Sequence, residues 1–123
     1  MMSEQQVLEA HNTGVEIGSH TVSHPLIGNI ENPEVIFEEL HNSKHILSKL
    51  IGTDITTLAY PMGSSNEISH EIAKKCGYNT LLLTGEKSIR LNNLHNYDNI
   101  FPRFSMYHNS HLKNLIRLSK SLI

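Results

Sequence analysis

A chain of 123 residues, 38% apolar and 18% charged, can build one compact domain around a single core and is too apolar for a disordered segment. A net charge of -2 with no run of like charges speaks against nucleic acid as a partner, because phosphate binding shows as a basic patch. No apolar run approaches the roughly 20 residues that cross a bilayer, and the polar start MMSEQQVLEAHN does not resemble a signal peptide, which leaves localisation open.

The predicted elements alternate along the chain. Ser3 caps a first helix, with Gln6 as its capping-box partner and Gly14 as its stop. Residues 15–19, alternating apolar and polar, predict a short strand. Asn32-Pro33 opens a long helix on which Ile36, Leu40, Leu47 and Leu50 recur at helical spacing until Gly52. Residues 57–60 predict a second strand that Pro61-Met62-Gly63 turns. Ser64 and Glu67 read as a capping box for a helix carrying Ile68, Ile72 and Ala73, which ends at Gly77. Residues 78–84 predict a third strand, whose leucine run implies burial on both faces. Residues 85–99 read as a polar loop, 100–106 as a fourth strand and 112–122 as a last amphipathic helix. The alternation predicts an α/β fold with mainly parallel strands, one domain over 1–123. The single Cys76 excludes an internal disulfide and reads as a small core residue.

Histidine, the commonest neutral metal ligand, is the compositional outlier at nine residues. His20 and His24 lie four apart just past the carboxyl end of a predicted strand, where parallel α/β folds collect ligands. They read either as two imidazoles reaching one cation or as solvated surface. His41 and His45 share the spacing but lie mid-helix and read as exposed, as do His108 and His111. His11, His70 and His95 have no identifiable partner in the sequence.

Context separates the first pair. The stretch EIGSHTVSHP, residues 16–25, resembles the histidine motif of the polysaccharide deacetylases (carbohydrate esterase family 4, the NodB homology domain). Leu58-Ala59-Tyr60-Pro61-Met62-Gly63 resembles that family's strand ending in a Y-P-x-G turn. Gly77-Tyr78 ahead of a strand and Phe101-Pro102-Arg103-Phe104 add to the likeness. The resemblance implies a distorted (β/α) barrel that removes N- or O-acetyl groups from polysaccharides. It implies a divalent metal, usually zinc, on His20 and His24. It also implies an oxyanion contact from the Met62 amide, a wall shaped by Tyr60 and Pro61, and Arg103 orienting a catalytic carboxylate.

One part of the pattern does not match. The family's Asp-Asp motif, which supplies a metal ligand and a base, has no counterpart, since the chain's aspartates are Asp54 and Asp98 alone. The expectation is therefore a partial barrel without its first strand or strands. Alone, it would have little or no activity and would present open sheet edges to another copy or a complementing chain. A non-catalytic, glycan- or partner-binding remnant of the fold and a coincidental likeness are the alternatives.

Overall fold

The computed structural model describes residues 2–84 and 99–103. Helix α1 (Glu4–Asn12) begins at the expected capping box, in which the Ser3 hydroxyl accepts from the Gln6 amide while the Gln6 side chain accepts from the Ser3 amide. Helix α2 (Pro33–Ile51) starts on Asn32, whose side chain accepts from the Glu34 amide, and stops at Gly52 in the left-handed conformation. Strands β1 (Thr57–Ala59), β2 (Thr80–Thr84) and β3 (Ile100–Arg103) form a fully parallel sheet in that order, with helix α3 (Glu67–Lys75) between the first two. The architecture is a partial (β/α) barrel whose sheet is open and three-stranded among the described residues, as the resemblance implies.

The sheet has two unlike faces because strand side chains alternate. Leu58 and Leu81 point toward the helices, where they join Ile36 and Leu40 of α2, Ile72 and Ala73 of α3, and Ile27, Ile55, Tyr60 and Tyr78 in one core. Thr57, Ala59, Thr80 and Leu82 point the other way and line an open cavity. Burying a leucine or isoleucine of this core stabilises the fold by about 1.5–3 kcal/mol.

Four expectations are corrected. Residues 15–19 do not form a strand: Ser19 alone bridges β1, donating to the Thr57 carbonyl at 2.8 Å and accepting from the Ala59 amide at 2.8 Å. The Val15 amide is instead drawn back to the Ala10 carbonyl at the end of α1. The cap of α3 is Asn66 with Ser69, not Ser64 with Glu67, because the Ser64 hydroxyl accepts from the Gly28 amide at 3.1 Å. Ile68 is half exposed, and Ser69 takes the buried position on α3. The leucine run of β2 is fully buried at Leu81 alone, since its neighbours Leu82 and Leu83 are partly exposed. The expected helix over 112–122, the end of the fourth strand, most of the 85–99 loop and His95, His108 and His111 lie outside the described residues.

Candidate active site

The two motif turns meet at one end of the sheet. Ser19 is held beside β1, so the chain emerges from it with His20 directly over the strand's end. His20 Nδ1 donates to the Ala59 carbonyl at 2.7 Å, one residue before the Tyr60–Gly63 turn. That bond fixes the tautomer and leaves Nε2 with its lone pair free to bind. The His24 ring lies beside it, centroids 4.9 Å apart and planes inclined at 70°. Two imidazoles on one tetrahedral cation, each at about 2.0–2.1 Å, place their centroids roughly 5 Å apart. The ring spacing thus admits both histidines as donors to one cation. Among the described residues no third histidine, cysteine or carboxylate joins them.

The loop between these histidines is strained and firmly held. Thr21 and His24 have φ of 68° and 60°, conformations that cost a non-glycine residue on the order of 1–3 kcal/mol each. The Thr21 hydroxyl accepts from the His24 amide at 3.2 Å. Glu39 of α2 accepts from the Val22 amide at 2.9 Å, the Ser23 amide at 3.0 Å and the Ser23 hydroxyl at 2.6 Å. Burial acts to raise the Glu39 pKa, but these three bonds outweigh it and hold the carboxyl below its ordinary value.

The second turn is shaped by one close approach. At Gly63, φ is 68°, and an added Cβ would lie 2.6 Å from the Thr84 nitrogen, so only glycine fits against the end of β2. Met62 also has positive φ, 54°, with its side chain in solvent. Its N–H has no hydrogen-bond partner among the described residues. Such an amide can donate to an incoming oxygen. Tyr60 and Pro61, expected to shape the wall, are buried and support the turn from behind. The Tyr60 hydroxyl donates to the Ser69 carbonyl at 3.1 Å and lies 3.3 Å from His70 Nδ1, giving His70 the partner that the sequence did not reveal.

His20 and Arg103 line the same cavity, about 600 Å³, with Glu16, Gly18, Thr57, Ala59 and Leu82. The Arg103 Nε donates to the Leu83 carbonyl at 3.3 Å. Glu16 is tied to Thr57, whose hydroxyl donates to it at 2.7 Å. The decoy pair behaves as expected: His41 and His45 are exposed on α2, stacked in parallel with centroids 6.3 Å apart. Glu39 and Ser43, which hold the histidine loop, were missed in the sequence. Ser43 carried a readable signal, a polar residue at a core-facing position seven after Ile36.

Comparison with known proteins agrees with this geometry. The family model described as polysaccharide deacetylase matches residues 2–81. Over 77 residues the chain is 30% identical to YxkH of Bacillus subtilis (strain 168), named as a polysaccharide deacetylase, covering 63% of this chain and 27% of that one. The Streptococcus pyogenes deacetylase PplD, solved with acetate, superposes with a TM-score of 0.79 at 26% identity, over 94% of this chain and 50% of that one. The polysaccharide deacetylase BA0330 of Bacillus anthracis superposes at 0.77 and 23% identity, over 99% and 37%. The chain thus spans about half the length of the solved relatives or less. With the family model matched over residues 2–81, more than half of its length, the chain belongs to the polysaccharide deacetylase family.

Proposed function

We propose that this chain carries the histidine and oxyanion portion of a metal-dependent deacetylase site that acts on N- or O-acetylated polysaccharide. We further propose that these 123 residues alone turn substrate over little or not at all. The observation that carries the reading is the pair of imidazoles 4.9 Å apart, one of them bonded to the carbonyl just ahead of the Tyr60–Gly63 turn.

His20 and His24 would hold the metal, His20 through Nε2 because Nδ1 is committed to Ala59. Zinc bound there would lower the pKa of a water toward neutrality and polarise an acetyl carbonyl. The Met62 amide, on the turn that follows Ala59, is suited to donate to the carbonyl oxygen as it gains charge. The open cavity beside His20 gives a sugar chain room, with the Arg103 guanidinium able to hold a carboxylate or a hydroxyl in place. Among the described residues no carboxylate joins the pair to act as a base, and lack of a base costs roughly 10²–10⁴-fold in rate.

The test is acetate release from N-acetylglucosamine oligomers by the purified chain with zinc, alongside binding of the same oligomers. Release at the level of the His20→Ala variant is expected, and turnover well above that variant would show the site complete. Oligomer binding that persists without turnover and without zinc would favour a glycan-binding remnant, the reading suggested by the absent Asp-Asp pair.

A further inference from the structure

We propose that Glu39 and Ser43, one turn apart on α2, act as a clamp that positions the two site histidines from below. The inference rests on the metal reading above for its functional meaning, but its geometry stands on separate observations. Residues four apart on a helix present the same face, so Glu39 and Ser43 reach toward the same loop. Ser43 holds the entry: its hydroxyl lies 2.7 Å from that of Ser19, the residue before His20, and both are buried. The Ser43 hydroxyl is positioned in turn by the Leu40 carbonyl at 3.0 Å, on which the Tyr78 hydroxyl also donates at 2.8 Å. Glu39 holds the exit through three bonds to Val22 and Ser23, the two residues before His24.

Each histidine is thus preceded by a residue fixed to α2, and both Thr21, between them, and His24 itself have positive φ. A loop in that conformation relaxes when its outside anchors are removed. One carboxylate receiving two backbone amides and a hydroxyl fixes the direction of the loop as well as its distance from the helix, because charge-assisted bonds are short and directional. Outer contacts of this kind hold ligand rings at a set spacing, and their loss typically weakens metal binding 10–100-fold. Both residues act through Ser19, Val22 and Ser23, so both are positioning residues.

The test compares the full chain with Glu39→Ala, Glu39→Gln, Ser43→Ala and, as a control for simple destabilisation, Leu47→Ala. Amide hydrogen exchange is measured at Val22 and Ser23, with the Ala59 amide as an internal reference, and zinc affinity is measured by calorimetry at a temperature where every variant is folded. Glu39→Ala is expected to free the Val22 and Ser23 amides while Ala59 stays protected, and to weaken zinc 10–100-fold. Glu39→Gln, which keeps an acceptor, is expected to recover part of both. Leu47→Ala is expected to change neither at matched loss of stability. Unchanged exchange at Val22 and Ser23 in Glu39→Ala would overturn the clamp, as would zinc affinity falling no further in Glu39→Ala than in Leu47→Ala. If His20→Ala binds zinc like the unsubstituted chain, the metal reading fails, and the exchange comparison still decides whether the clamp orders the loop.

Discussion

Replacing Gly63 by alanine probes the contact that sets the second turn against the sheet. Two costs add at this position. The first is conformational, since φ of 68° disfavours any residue with a Cβ by about 1–2 kcal/mol. The second is steric. The new Cβ would lie 2.6 Å from the Thr84 nitrogen and 2.9 Å from its Cβ, inside the 3.4 Å at which ordinary contact begins. Neither Thr84 nor the turn can yield freely, because Thr84 is paired to Arg103 and the Gly63 amide is bonded to the Tyr60 carbonyl. Overpacking of this kind costs about 1–3 kcal/mol, so the total is about 2–5 kcal/mol. Gly52 provides the control, with φ of 70° and nothing within 4 Å of its Cβ position, so Gly52→Ala should show the conformational cost alone. Urea unfolding of both variants, read as midpoint shifts at constant slope, separates the two terms. Equal losses at the two sites would refute the argument that the turn is seated against β2.

Three further outcomes follow from the packing. Burial pushes the Tyr60 hydroxyl up to about pKa 12, whereas an unfolded tyrosine ionises near 10. The folded state keeps a proton that the unfolded state releases, so stability should fall as pH rises from 10 to 12, by up to about 1.4 kcal/mol per unit, and Tyr60→Phe should flatten urea midpoints across that window. Lys44, whose ammonium donates to the Ile55 and Gly77 carbonyls and pairs with Asp54, joins three segments, so Lys44→Met should cost about 1–3 kcal/mol in thermal unfolding. Asp54 is exposed, so Asp54→Asn should cost under about 1 kcal/mol, and a loss equal to that of Lys44→Met would place the energy in the ion pair instead of the carbonyls.

What could be read in advance was what short-range chemistry determines. Asn32-Pro33 and Gly52 bounded α2 because capping and the left-handed stop are local effects. The alternation of elements gave the parallel sheet, and the two motif turns were expected to meet as they do. Competition for a single atom was harder to foresee. Ser64 has the spacing of a cap, but its hydroxyl is taken by Gly28, 36 residues away, so Asn66 caps α3 instead. The strand expected over 15–19 is lost for a similar reason, as the Val15 amide completes the end of α1. Glu39 carries no local signal of its role, since only the folded loop brings Val22 and Ser23 to it. Tyr60 stood in the motif beside the site, yet its side chain faces inward to Ser69.

The most direct test of the account is a zinc titration of the chain and four single variants, His20→Ala, His24→Ala, His41→Ala and His45→Ala. Both pairs are spaced four apart, but the first has its rings 4.9 Å apart and inclined at 70°, with His20 bonded to the Ala59 carbonyl, whereas the second is stacked in parallel at 6.3 Å. Loss of the strongest site in His20→Ala and His24→Ala, with His41→Ala and His45→Ala unchanged, is the predicted result. Affinity that survives loss of the first pair, or that depends on the second, would contradict it.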